Sequence, residues 1–500
     1  MRETIPLLIL ASLLWSPQLA RGDTFTIRDD TGKTVVIDAR LVGERQGSGE
    51  RPGIIALERA DGRIEVVPQP QILKREVGPD PKPISCKTMI ERLTEQFGAD
   101  KFLARAKEPF VVGLVLSEPL PRKYEKRAIK CLEKGVSFMK KVEKGFLDFA
   151  NYLKLETEES RYPLVVIVFE TDDDFIRFHT EETGGRGLSS EFTQGYYNRL
   201  TNWLVIRMSE CYTFATPLHE AIHQQVYNRG LLQRLARVPV WFDEGIATGF
   251  EGEENGERIK NVPKNINMRY ARRAMRAKAV DWDDVVSDDK AFRGDVLAGE
   301  AYANAWGIHW FLLTKYRKEY LEFLQLLRQK TSLETYDAQT RIQDFERVFG
   351  KRVGQLQTEF PAWLEQEAQK QNLSDRDQHP DGYLILHSNL AQVEMTAVKS
   401  GAAGELEAAG QMRNVSQIRP MSFHITMETD GGTYAEWYLS NVPPMAVKPL
   451  PNQIARKQMK NSPGRASNQF WIKVKSVPFD SDTDKEWQHG QLPVPVWSEH

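Results

Sequence analysis

Apolar and polar residues alternate with a period of two along residues 25–39 and again along 53–68, each run folding back at a Gly-containing turn, Thr31-Gly32 and Asp61-Gly62. That is the pattern of short hairpin strands, each with one buried face. Pro81 and Pro83 then mark a break. Beyond it, unbroken apolar runs at 110–116 and 164–169 predict buried strands, and between them Ile129, Leu132, Val136, Met139, Phe146 and Leu153 fall at helical steps, predicting a long core-facing helix. A second helix is expected from about Asp173, and Gly195-Tyr-Tyr is expected to pair with residues 201–208 through a turn at Asn198-Arg199. Helical patterns run through 310–327 and 345–364, the charge-rich stretch 365–381 reads as a boundary, and alternation returns at 423–427, 434–439 and 470–474. The expected architecture is multidomain α+β: a small N-terminal β-barrel, a central α+β domain and a C-terminal β-rich domain.

One short apolar run is of another kind. Residues 5–15 follow a weakly positive start and precede Ala20-Arg21-Gly22, which has small residues where a signal peptidase would cut before Asp23. Export to the periplasm or outside the cell is expected, against the alternative of a buried N-terminal helix. No run of about 18 apolar residues follows, so no transmembrane segment is expected. The expected boundaries are a signal peptide 1–22, a β module 23–75, a linker and lead-in 76–109, a central domain 110–370, a linker 371–385 and a β-rich domain 386–500.

Composition narrows the partners. The 500 residues are 41% hydrophobic, and 67 basic against 69 acidic residues leave a net charge of −2, so bulk charge argues for neither nucleic acid nor anionic membrane. A local basic run, Arg269, Arg272, Arg273, Arg276 and Lys278, reads as a solvated helix face. The three cysteines have no metal spacing; a Cys86–Cys131 bridge is open, and Cys211 reads as a packed thiol.

The chemistry is concentrated in Thr216-Pro-Leu-His-Glu-Ala-Ile-His223, an HExxH. On a helix, positions i and i+4 lie about 40° apart, so His219 and His223 can present imidazoles to one ion, with Glu220 beside an open coordination position as general base. Thr216 is the expected N-cap, Pro217 suits the first turn, Gly230 is the expected stop, and Leu218, Ile222 and Val226 form the stripe to be buried. Twenty residues after His223, Trp241-Phe-Asp-Glu-Gly-Ile-Ala247 offers Glu244 on a second helix entered at Pro239, where small Gly245 and Ala247 would let it approach the first. Asp243 is a candidate to orient a ligand histidine. The metzincin pattern fails, because Val226 and Arg229 stand where it needs Gly and His.

HExxH followed by W-x-x-E-G-x-A resembles the gluzincin metallopeptidases of the MA clan, and residues 110–364 are similar to a secreted bacterial group with this motif pair, most of it of unknown function. The resemblance implies one zinc per chain held by His219, His223 and Glu244, Glu220 as base, and a peptide or protein substrate. It also implies an edge strand before the HExxH helix to which substrate backbone adds, for which residues 203–208 are the candidate against the reading of an internal strand. Tyr302, at the head of a later helix, is the candidate oxyanion donor, with packing as the alternative. His309 is expected to be a helix-surface or core histidine. The N-terminal module resembles the Src-homology-three-like module of endocytic actin-patch adaptors, through the turn at Gly32, Ala39, Val42 and the signature at 61–68. The expected function is an exported zinc metallopeptidase. The alternative is an envelope binding or scaffolding protein with a structural or vestigial metal site, docking through its flanking β modules.

Overall fold

A computed structural model describes residues 22–29, 31–49, 51–184, 193–251, 267–276, 280–292, 298–370, 384–400, 405–429, 432–456 and 471–492. Residues 1–21 of the expected signal peptide, the linker core 371–383 and Lys278 lie outside the described residues. The chain divides into two compact units, meeting between Lys82 and Pro83.

The first unit is one antiparallel sheet. Strands β1 (Gly22–Arg28), β2 (Thr34–Arg45), β3 (Ile54–Arg59), β4 (Ile64–Pro68) and β5 (Ile72–Val77) lie in the order β4-β3-β2-β1-β5. The first hairpin closes on Asp29, whose carboxylate accepts the N–H groups of Thr31 and Lys33, while Gly32 supplies the positive φ of 83°. Period-two alternation places Phe25, Ile27, Ile37, Ala39, Leu57 and Val67 in one small core, and the register shifts between Leu41 and Gly43, making Val42 a bulge residue. The β character is as expected. The barrel is not closed, since edge strands β4 and β5 do not pair among the described residues.

The second unit is built on a five-stranded sheet in the order β6-β7-β8-β10-β9. Helix α1 (Cys86–Phe97) and β6 (Phe102–Lys107) occupy the stretch read as linker and lead-in, α1 being capped by the Ser85 hydroxyl on the Thr88 N–H. Then come β7 (Phe110–Val115), α2 (Arg122–Tyr152), β8 (Leu164–Phe169), α3 (Asp172–Thr183), β9 (Gly195–Asn198) and β10 (Trp203–Arg207). Strands β7, β8 and β10 run parallel, and their near-continuous apolar composition follows from burial of both faces. Val112, Val166 and Leu204 pack toward α2, while Val111, Val165 and Val205 face the residues of α1. Of the two readings of residues 203–208, the internal strand is the one found: β10 is bonded on both sides, and among the described residues the antiparallel β9 is the edge.

The same sandwich rules out the Cys86–Cys131 bridge. Cys86 belongs to the core on one face of the sheet and Cys131 packs against the core on the other; all three cysteines are free. Burial pushes the Cys211 thiol up, as suits a packed side chain.

Helices α4 (Ala215–Asn228), α5 (Val240–Phe250), α6 (Met268–Arg276), α7 (Trp282–Ser287), α8 (Ala298–Lys315), α9 (Arg317–Arg328), α10 (Ala338–Phe349) and α11 (Val353–Lys370) follow. On α6, Arg273 is exposed and Arg272 half-buried. Strands β11 (Leu384–Ser388), β12 (Ala391–Ser400), β13 (Glu405–Asn414), β14 (Met421–Thr429), β15 (Gly432–Val442), β16 (Val447–Arg456) and β17 (Trp471–Pro478), with α12 (Asp482–Gln488), complete the unit. They form two sheets, β11-β12-β13-β16 and β15-β14-β17. Their buried residues, among them Leu390, Met412 and Phe423, share one core with α2, α4 and α8. Arg419, just before β14, sends its Nε to Glu170 Oε1 at 2.6 Å, and the Asn389 N–H donates to Asp172 at 3.0 Å. Among the described residues no helix is long and apolar enough to cross a membrane.

Candidate metal centre

Helix α4 packs Leu218, Ile222 and Val226 into the core, each at most 1% exposed, and this sets the rotation of everything else on it. His219 and His223, one turn apart at the border of that stripe, are 8% and 6% exposed. The helix start differs from expectation. Phe214, at φ 57°, holds the cap position without a side-chain bond, and its ring packs 4.8 Å from that of Phe138. Thr216 is therefore inside the first turn, where its hydroxyl reaches Gln194 at 3.2 Å and Glu210 at 3.4 Å. Tertiary packing of an aromatic ring has displaced the usual hydroxyl cap. The C-terminal stop is as expected: Gly230 takes φ 70° and the Leu231 N–H closes on Val226.

Pro239 leads into α5, whose Trp241, Phe242 and Ile246 are buried. Gly245 is needed here, for a reason other than the expected one. A Cβ on it would lie 2.5 Å from the His309 Cβ and 2.9 Å from the Ala305 carbonyl, so it admits α8 rather than α4. That contact holds α5 with Glu244 facing α4.

The three candidate ligands converge. Glu244 Oε2 is 2.9 Å from His219 Nε2 and 3.5 Å from His223 Nε2, the two Nε2 atoms are 3.1 Å apart, and all three ligand atoms lie within 4.8 Å of one another. The far ring nitrogens are each held by a carboxylate: His219 Nδ1 by Glu251 at 2.7 Å, His223 Nδ1 by Asp243 at 3.0 Å. A proton on each Nδ1 leaves both Nε2 lone pairs facing Glu244, which is the donor set that zinc takes. Asp243 thus stands where its candidacy required. Glu251 was not singled out in the sequence, although it lies seven residues, two helical turns, beyond Glu244 on the same face.

A further shell fixes these carboxylates. Tyr227 donates its hydroxyl to Asp243 at 2.7 Å, and Arg199 donates Nη2 to the same oxygen at 2.7 Å. Tyr270 donates its hydroxyl to Glu251 at 3.2 Å. The electrostatic result without a metal is reciprocal. Burial opposes ionisation of Glu244, but His223 and His219 outweigh it and hold the carboxyl at about 2. Burial also opposes charging His223, yet Asp243 and Glu244 outweigh it and raise the imidazole to about 10.

Glu220 lies beside this group. Its Oε2 accepts the Tyr197 N–H of β9 at 2.8 Å, and burial, with Glu244 adding to it, raises its carboxyl above the ordinary range despite both histidines. Tyr302, near the start of α8, has its ring centre 6.0 Å from that of His219, and Glu244 together with burial pushes its hydroxyl well above the usual phenol range. Glu220, His223, Glu244, Tyr302 and the β9 residues Tyr196 and Tyr197 line one cleft of about 220 Å³. His309, by contrast, is fully buried in the core behind α5 with Nδ1 3.2 Å from the Tyr320 hydroxyl. His424 on β14 pairs with Glu436 of β15 at 2.5 Å.

Residues 213–334 match a family model described as a protein of unknown function (DUF1570). The match spans α4, α5 and α8, and so includes His219, Glu220, His223, Glu244, Glu251 and Tyr302, but covers less than half of the chain. No curated protein matches the chain.

Proposed function

We propose that the chain is an exported zinc-dependent metallopeptidase. The observation that carries this reading is the convergence of two Nε2 atoms and one carboxylate at a cleft, with both Nδ1 atoms pinned from behind and Glu220 at the side. His219, His223 and Glu244 would hold a zinc ion, whose Lewis acidity would act on a water and on the carbonyl to be attacked. Glu220, with its raised pKa, takes the proton from the attacking water and returns it to the leaving amine. Tyr302 keeps its proton at any ordinary pH and can donate it as a hydrogen bond to the developing oxyanion. Strand β9, the sheet edge among the described residues, lines the cleft and is the place for substrate backbone to add once the Tyr197 N–H is released by Glu220.

A structural zinc site is closed by four protein ligands, whereas among the described residues three groups converge here, and His223 and Glu244 line the cleft, which favours catalysis over the scaffolding alternative. The test joins metal analysis to peptide digestion. Purified protein is expected to carry about one zinc per chain and to cleave a peptide library until chelator is added. Glu220→Gln should keep the zinc and lose about 10²- to 10⁴-fold in turnover. Protein that binds no zinc at neutral pH, or a Glu220→Gln variant as active as the parent, overturns the reading.

A further inference from the structure

The cleft wall is mostly acidic and phenolic, with Glu220, Asp243, Glu244, Tyr196 and Tyr302 among its residues, and Arg199 is the one Lys or Arg that lines it among the described residues. Arg199 sits in the turn between β9 and β10, and that turn is held: its carbonyl accepts Arg234 Nε at 2.7 Å and the Leu200 carbonyl accepts Arg234 Nη2 at 3.0 Å. The side chain is held as well. Its Nη2 is on Asp243 and its guanidinium lies 4.7 Å from the centre of the Tyr227 ring.

Holding Asp243 accounts for one of the five N–H donors of a guanidinium. No other hydrogen bond of this guanidinium is formed among the described residues, and the side chain is 35% exposed where its partner Asp243 is 3% exposed. A planar fork, fixed in direction by a carboxylate and an aromatic face, and open toward a cleft of otherwise negative character, matches a carboxylate ligand. We infer that the substrate presents a carboxylate to this cleft and that Arg199 binds it, making Arg199 a specificity-determining residue. The peptide character of that substrate rests on the peptidase reading; the recognition of a carboxylate does not. Two sources share this chemistry, the terminal carboxylate of a peptide and an Asp or Glu side chain.

The experiment uses the full zinc-loaded chain and four fluorescent N-acetylated pentapeptides, with a free or amidated C-terminus and with Glu or Gln at one internal position. Binding is read by anisotropy and turnover by fragment analysis. A charge-assisted pair of this kind should favour the carboxylate-bearing peptide by about tenfold to a hundredfold. Preference for the free terminus assigns the terminal carboxylate, and preference for Glu over Gln assigns the side chain. Arg199→Gln should erase the preference mainly through KM, and Arg199→Lys, which keeps a charge for Asp243 but loses the fork, should recover only part of it. Zinc content is measured in both variants; if Arg199→Gln loses metal, Arg199→Lys decides, and its retaining full preference overturns the proposal. Equal binding of all four peptides by the parent protein also overturns it. Carboxylate-selective binding without cleavage would sink the peptidase reading alone, and cleavage without selectivity would sink this one alone.

Discussion

The cleft floor and the core behind α5 both bury histidine, and they treat it in opposite ways. His309 on α8 meets a phenol and aromatic rings, and burial alone drives its pKa down to about 3. His223 on α4 is almost as hidden, yet Asp243 and Glu244 raise it to about 10. Desolvation acts on both, and the sign of the outcome is set by whether carboxylates accompany the ring into the interior. The lesson is that burial does not identify a ligand histidine. What sets the candidate ligands apart is the provision, at some cost in desolvated charge, of an acid behind each imidazole.

Removing that provision should have the largest effect. Glu251→Gln and Asp243→Asn are each expected to lower zinc affinity by about 10- to 100-fold, read by competition with a chromophoric chelator; unchanged affinity in both would show that the carboxylates are not what distinguishes the two regions. A middle-sized effect concerns pH. In metal-free protein the folded-state pKa of His223 lies near 10 against an ordinary 6.5. Its pairing therefore stabilises the fold fully below pH 6.5, and that stability is lost as pH rises toward 10. Metal-free protein should accordingly melt at lower temperature as pH rises through this window, and zinc uptake at neutral pH should release protons measurable by calorimetry in two buffers of different ionisation enthalpy. Uptake with no proton release contradicts the assignment. The smallest effect belongs to the other region: His309→Leu should leave zinc affinity within roughly twofold and stability within about 1.5 kcal/mol, by equilibrium urea unfolding. A large loss of zinc in that variant would mean the two regions are coupled through Gly245.

Much of this arrangement is legible in the residues. The i, i+4 spacing of His219 and His223 and the apolar stripe of Leu218, Ile222 and Val226 fix a helix and its rotation together, so the ligand face follows from the buried face. Glu244 needed the neighbouring motif, and Asp243 only adjacency to it. Glu251 was hidden because a spacing of seven has no meaning until His219 is known to point Nδ1 at the end of α5. The edge of the sheet stays open in the sequence for a similar reason: the residue pattern shows that 195–198 and 203–207 are strands, but not which of them has a neighbour on its far side. Thr216 obeyed a sound local rule that the contact of Phe214 with Phe138 overrode. Arg199 carries no local signal at all, since its place in the cleft comes from the fold-back of β9 on β10.

The bond between Arg419 and Glu170 bears on how the chain can be divided. Both side chains are almost wholly enclosed, at 2% and 0% exposure, and they come from opposite sides of the charged stretch that reads as a boundary in the sequence. A protein cut there would leave the buried Glu170 carboxylate with the Ser117 N–H and hydroxyl but without its counter-charge, a loss of about 3–5 kcal/mol for a buried pair deprived of one member. The residues beyond that stretch are therefore not cargo that an expression design can discard, since Arg419, Met412 and Phe423 are bound into the same interior as the helix that carries His219 and His223.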